Sequence, residues 1–472
     1  MKTDRILALL CLLFPVVPAA AQTLDLEQCR EMALESNKQI TISHRQAEQA
    51  GYTLKSYKAN FLPKFTGEGL YLFSGGKLKE TTPELFLPTY APDPATGQLV
   101  PNVAGVGADG NPVFRQYGYV PPLSLELSLN NTFLAGVSVE QPLYMGGKIV
   151  AAYKMARIGR DISRVNSAFT RTDILVKTDE AYWQVVKVKE LLVAAEKYRD
   201  VVAGLLQNVS DACAAGMKSK NDFLKVQVKL NEAELTVRKA QNGVRLAKMN
   251  LCHYIGLPLQ TGVDVSAALT GADGTAAGSA VLPPLPAADV TARPEYEMLS
   301  KQIEYKHQQT RLVRSDFLPN LGVSAAYMYS EGLKLNDEKL LSSGSFSALF
   351  SLRVPLFRWG EGVNKVRAAK AEQTIALLQR EDALEKMELE AMQALNALDE
   401  AVLEVNLTRR SLAQAEENLK VSRDHYEAGM ETLTGYMEAQ AAWQKAWADL
   451  IEAEAGVRFG ETYYLKAIGR LK

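Results

Sequence analysis

Histidine and cysteine are scarce in this 472-residue chain, with four of each. His44, His253, His307 and His425 stand far apart, and no HExxH, CxxC, GxxxxGK[ST] or GxSxG spacing is present. Zinc hydrolysis, P-loop nucleotide chemistry and nucleophile-elbow catalysis therefore lack their residues, and no cofactor is expected. An excess of one charge is also missing. The 53 Lys and Arg face 54 Asp and Glu, which argues against nucleic acid as a partner. Beyond residue 21 no apolar run approaches the roughly 18 to 20 residues of a membrane-crossing helix, so any crossing must be made by strands. Proline is absent between Pro142 and Pro258 and again after Pro355. Both stretches are rich in Ala, Leu, Glu, Lys and Gln, and so are free to be helical over great lengths.

The N-terminus carries Lys2 and Arg5, an apolar core from Ile6 to Val17, and Ala19-Ala20-Ala21. That pattern predicts an export signal over 1–21. Lipid attachment at Cys11 is disfavoured by the bulky Leu10 before it. Cys29, Cys213 and Cys252 follow, an odd number with no metal spacing, so no disulfide framework is expected.

A duplication organises the rest. "QPLYMGG" at Gln141 is echoed by "VPLFRWG" at Val354, 213 positions on, and the same offset relates Ala215-Gly216-Met217 to Ala428-Gly429-Met430. Upstream, "NFLP" at Asn60 and "DFLP" at Asp316 are offset by 256, so the first copy holds 43 extra residues. The excess falls within a Pro- and Gly-rich segment, about 74–125, that predicts a long loop. Its Gly105, Gly107 and Gly110 match GxGxxG but lack the strand and helix that would make that spacing a dinucleotide site. The expected division is a first repeat over 22–260, a linker over 261–292 containing "LPPLP", and a second repeat over 293–472.

Four runs alternate with period two: Phe65 to Phe73, Thr132 to Glu140, Leu321 to Tyr329 and Ser345 to Val354. Each is about ten residues, enough for a tilted strand to cross a bilayer. Four strands alone leave two edges that hydrocarbon cannot satisfy, which predicts closure with other copies. The proline-free stretches predict two long helical hairpins reversing at their Ala-Gly-Met triplets. In the second, Leu377, Leu384, Ala391, Leu398, Val405, Leu412 and Leu419 recur every seven residues beside a seam of smaller ones such as Ala394 and Ala401. Pro142, Gly146, Gly147, Pro355 and Gly360 mark where strand turns into helix.

In order and duplication, "LDLEQCREMALESNKQI" at Leu24, the two FLP and two glycine turns, "ARPEY" at Ala292 and the paired AGM tips resemble the TolC family of outer-membrane efflux proteins. The resemblance spans about 24–469. It implies a mainly α fold with a membrane β part: long periplasmic helical hairpins forming an α-barrel, and four strands per chain in a shared trimeric β-barrel. It further implies a passive exit duct in outer-membrane lipid, a homotrimer meeting a periplasmic membrane-fusion adaptor and an inner-membrane pump for efflux or type I secretion. Gly216, Met217, Asp222, Gly429, Met430 and Thr432 would be the adaptor-contacting tips, and Asp222 and Glu438 the periplasmic aperture. The tips depart from the family pattern, with Cys213 where an aromatic residue is usual and Gly435 where Asp is. A periplasmic adaptor or coiled-coil scaffold is the competing reading; the duplicated hairpins and four amphipathic strands fit it poorly.

Overall fold

The computed structural model describes residues 22–73, 76–128, 131–269, 289–336 and 338–471. The expected export signal and "LPPLP" lie outside the described residues. Strands are β1 Gln22–Leu24, β2 Lys64–Leu72, β3 Lys77–Thr81, β4 Leu85–Pro88, β5 Tyr90–Pro92, β6 Leu99–Pro101, β7 Val103–Val106, β8 Pro112–Phe114, β9 Tyr117–Val120, β10 Ser124–Ser128, β11 Thr132–Met145, β12 Val263–Val265, β13 Asn320–Leu335 and β14 Glu338–Arg353. Helices are α1 Leu26–Ser36, α2 Lys38–Ala59, α3 Lys148–Ala214, α4 Lys220–Tyr254, α5 Pro294–Ser315, α6 Glu361–Glu427 and α7 Leu433–Ala467.

Element bounds repeat with the two sequence offsets. Helices α3 and α6 are both 67 residues, α4 and α7 both 35, each pair 213 apart, while α2 and α5 are both 22 and lie 256 apart. At 1.5 Å per residue α3 and α6 run roughly 100 Å each. None of the described helices is long and apolar enough to cross a membrane.

The chain forms two compact units that cut across the repeats. One holds the described residues up to Lys55 together with Ala152–Thr310 and Val366 onward. Within it α1 starts on a reciprocal cap, Asp25 accepting from the Gln28 amide at 2.7 Å while Gln28 accepts from the Asp25 amide at 3.1 Å. Cys29 and Ala33 of α1 pack on Tyr182, Val185 and Val186 of α3 and on Leu251 and Cys252 of α4. Strand β1 lies parallel to β12, and Asp264 of β12 meets Lys189 at 2.8 Å and Lys248 at 3.2 Å. The segment expected as linker thus begins with a strand. The three described cysteines are free, and burial pushes the Cys29 thiol up to about 12.

Heptad residues Ala391, Leu398, Val405 and Leu412 of α6 are buried, against Tyr464 of α7 and Ile468 just past its end, or against Trp447 and Ile451 of α7. Leu377 at one end of the same track is 38% exposed. Two arginines that break the corresponding track of α3 stay at its surface, Arg199 pairing with Asp200 at 2.6 Å and Arg171 lying exposed. Deeper in, Asp179 of α3 is fully buried and accepts two bonds from Arg30, at 2.8 and 2.6 Å, and one from the Thr462 hydroxyl at 3.0 Å. Next to it Glu180 accepts from the Tyr463 hydroxyl, which pushes that phenol up to about 12. Arg293 of the "ARPEY" motif is 5% exposed and held by Glu390 at 2.6 Å and Glu295 at 2.7 Å, with Pro294 at the first position of α5.

Glu454 of α7 is buried, and that burial raises its pKa although Arg409 donates to it at 3.0 Å. A carboxyl whose folded pKa lies above its unfolded one stabilises the fold below the ordinary carboxylate range, and this contribution is lost as pH rises through the raised value. Glu454→Gln is therefore expected to melt above wild type at neutral pH, the difference closing as pH falls to about 4. A lower melting temperature at neutral pH would show that the Arg409 attraction outweighs the burial.

The other unit comprises Ser56–Ala151 and Arg311–Lys365. Its sheet runs β2-β11-β13-β14, antiparallel throughout, with β10 beside the upper end of β13 and β3 beyond β10. The four alternating runs of the sequence are its long strands. The expected long loop is instead a set of short ribbons, β3 with β10, β4 with β9, β5 with β6, and β7 with β8. Strands of three to five residues interrupted by proline carry too little alternation to be read as strands. A strand, β7, does run into Gly107, but a hairpin partner follows it and no helix.

Candidate functional site: sheet faces, sheet edges and helical tips

Register assigns the two faces of the sheet. Phe65, Val139, Ala325 and Ala348 lie side by side, as do Val137, Tyr327 and Phe346, and this face is apolar. Its large side chains are bare: Phe65, Phe346 and Phe350 are each more than 70% exposed. On the opposite face Lys64, Glu140, Ser324 and Leu349 form one rung and Thr66, Ser138, Ala326 and Ser347 the next, a face mostly small or polar. A shallow concavity at this end of the sheet is lined by Lys64, Glu140, Ser324 and Arg353 together with the apolar Leu349 and Leu352. Such a sheet fits hydrocarbon on one side and water on the other. Among the described residues its outer strands β2 and β14 each pair on one side only, leaving two open edges.

Strand becomes helix at the glycines the sequence singled out. Strand β11 shifts register between Pro142 and Tyr144 and ends at Met145, and Gly146 and Gly147, at φ 59° and 85°, turn the chain into α3. In the second copy the strand stops at Arg353, before Pro355, and Trp359 and Gly360 have φ of 46° and 79° ahead of α6. A non-glycine residue in the left-handed region is uncommon. Trp359 is 90% exposed, and its ring meets that of Phe357 at 4.9 Å. Paired exposed aromatics at a strand end are what an interfacial girdle consists of. In the sequence these two residues stand out only as part of the turn, because the exposure of neighbouring rings belongs to the fold.

Both tips, in the helical unit, are built alike. Helix α3 closes with Gly216 donating to the Cys213 carbonyl at 3.0 Å and Met217 to that of Ala212 at 2.8 Å. Gly429 and Met430 do the same to Tyr426 at 3.1 Å and His425 at 2.8 Å, and both glycines sit at φ 75°. This is the left-handed helix stop in which the residue after glycine usually folds back onto the helix. Here Met217 and Met430 stay 74% and 72% exposed.

The next helices are capped by Ser219 and Thr432. Ser219 accepts from the Asp222 amide at 3.1 Å, and the Asp222 carboxylate takes the Ser219 hydroxyl at 2.8 Å, which holds its pKa below the usual range. Thr432 accepts from the Gly435 amide at 3.1 Å, and glycine there has no side chain to answer with. Asp222 is thus engaged with its own cap, whereas Glu438 is exposed on α7. The two tips touch: Lys218 lies 4.7 Å over the Tyr426 ring, which stacks on Tyr436 at 5.3 Å. Tyr198, Val209, Val226 and Leu433 are buried beneath, so α3, α4 and α7 share one core at this end. Among the described residues no group of His, Cys, Asp or Glu is arranged to hold a metal ion.

Comparison with known proteins agrees with this geometry. The chain is 22% identical over 360 residues to the pyoverdine export outer membrane protein OpmQ of Pseudomonas aeruginosa, covering 73% of this chain and 72% of that one. The fold of this chain is similar to that of the Campylobacter jejuni CmeC outer membrane channel, with TM-score 0.69, 17% identity and coverage of 94% of this chain and 85% of that one. The open state of the Neisseria gonorrhoeae MtrE outer membrane channel gives TM-score 0.68 at 15% identity, over 95% and 89%. The family described as outer membrane efflux protein matches residues 110–257 and 292–458. Non-enzymatic, mainly helical and carrying a sheet with one bare apolar face, the chain belongs to the outer membrane efflux protein family.

Proposed function

We propose that three copies close their four-stranded sheets into one barrel in the outer membrane and join their helices into a periplasmic tube, a passive duct that a periplasmic adaptor connects to an inner-membrane pump. The carrying observation is the sheet, which is apolar on one face, mostly small or polar on the other and open at β2 and β14. Unpaired backbone groups cost several kcal/mol each in hydrocarbon, so such a sheet is stable there only when sister strands seal it. Helix α6 supports the tube. Ile375, Leu389 and Leu403 recur every fourteen residues along it, Leu378, Met392 and Leu407 follow them three or four positions on, and all six are exposed. A stripe of that spacing fits a helix of a sister chain.

Docking is proposed at Gly216, Met217, Asp222, Gly429, Met430 and Thr432. The bare methionines are the reason, since a flexible thioether fits a partner groove without a strict shape. Of the two candidate aperture acids, exposed Glu438 is the better placed, because the Asp222 carboxylate is spent on its cap. Cargo choice then belongs to the pump, as a passive duct selects only by size and lumen charge.

Met217→Asp together with Met430→Asp tests the docking. The double variant is expected to run as a heat-modifiable trimer and conduct in planar bilayers like wild type, yet to leave cells as drug-sensitive as the deletion strain. Wild-type resistance from this variant would remove the methionines from the adaptor contact. Absence of the trimer from wild-type outer membranes would remove the duct itself.

A further inference from the structure

The insertion that separates the first copy from the second is organised. Strands β4 and β9 form a stem, and two arms, β5 with β6 and β7 with β8, branch from it. Thr89, Asn102 and Gln116 tie the junction. Asn102 donates its amide to the Thr89 carbonyl at 3.0 Å, the Thr89 hydroxyl donates to the Gln116 carbonyl at 2.7 Å, and the Arg115 amide donates to Asn102 at 2.8 Å. Arg115 adds a side-chain tie at the surface, its Nε donating to the Val103 carbonyl at 3.0 Å.

This three-armed body is apolar where a surface should be polar. Phe86, Tyr90, Leu99, Val106, Tyr117 and Tyr119 are all more than half exposed, and Phe86 meets Tyr119 at 5.3 Å on the stem. Between Thr82 and Leu123 only Glu84, Asp93, Asp109 and Arg115 carry charge, and there is no lysine. Exposed ribbon edges are normally guarded by charges, lysine above all, and an isolated two-stranded ribbon is at best marginal in water. A ribbon cluster so sparsely charged calls for a cover.

We infer that the cover is the same insertion of the sister chains, packed together over the outer mouth of the barrel; this rests on the trimeric duct proposed above. Position favours it. Strand β10 pairs with β13 at Leu127 and Ser128, and β3 pairs along all of β10. The ribbon therefore prolongs the hairpin of β2 and β11, and β3 extends the β2 lane whose open edge a sister strand has to seal. Charge disfavours the alternative of a phosphorylated lipid surface, which a single arginine set against three acids, with no lysine, could not hold.

Photo-crosslinking in intact outer membranes tests this, with p-benzoylphenylalanine placed at Tyr119 in one full-length variant and at Val106 in another. Expected are dimers and trimers that survive boiling, the linked peptide lying within 82–123 of a second copy. Adducts only to another protein or to lipopolysaccharide, or monomers alone at both positions, would overturn the inference. Unheated gels of the same samples report the trimer separately. An intact trimer without insertion links discards this inference only, whereas absence of the trimer discards the duct.

Discussion

Replacing Asp179 by alanine is expected to destabilise the helical unit by about 3–5 kcal/mol, the usual cost of stranding one partner of a buried ion pair. Asp179 is fully buried, and its carboxylate satisfies Arg30 twice and Thr462 once. Alanine would leave the guanidinium, whose side chain is only 19% exposed, without its principal counter-charge, since the remaining carboxylate, Glu27 at 3.2 Å, is 69% exposed. Removing both charges is a different matter. In Arg30→Met with Asp179→Leu no unpaired charge stays buried, and most of the lost stability should return. Chemical denaturation of detergent-purified protein measures this. Additive losses in the double variant would show that packing, and not the ion pair, sets the cost.

Gly146→Ala is the second large effect, and Gly147→Ala its internal control. Both glycines have left-handed φ, which costs an alanine about 1–2 kcal/mol. A Cβ on Gly147 meets nothing within 4 Å, whereas one on Gly146 would stand 2.6 Å from the Ser315 carbonyl oxygen and 2.7 Å from Leu318 Cβ. The obstructing oxygen is backbone and cannot swing away. Gly146→Ala should therefore nearly abolish heat-modifiable trimer in outer membranes, with Gly147→Ala retaining most of it. Equal loss in the two would mean that conformation alone, without the close approach, is what position 146 requires.

Much of the molecule was legible because its signals are local and periodic. Alternation in Phe65–Phe73 or Ser345–Val354 is read two residues at a time, and a proline-free heptad track over α6 needs no knowledge of partners. Duplication sharpened this, since each copy checks the other's bounds. The tips were legible as turns, because glycine at φ 75° and a Ser or Thr cap write themselves into three or four residues. Other features were not. The Arg30–Asp179–Thr462 bond set joins positions 149 and 283 apart, and nothing near any of the three in sequence names its partners. The insertion looked like loop because strands of three to five residues become visible only when their hydrogen-bonded mates are known.

By itself the sequence determined the repeat, the helix lengths and the two-faced strands, since periodicity and proline placement act along the chain. Only the tertiary structure decided that the units cut across the repeats, sheets with sheets and helices with helices. It also decided that β11 of one copy lies against β13 of the other and that a three-way junction orders the insertion. These are choices among pairings of similar local strength, and they are settled by long-range contacts whose energy no stretch of sequence holds alone.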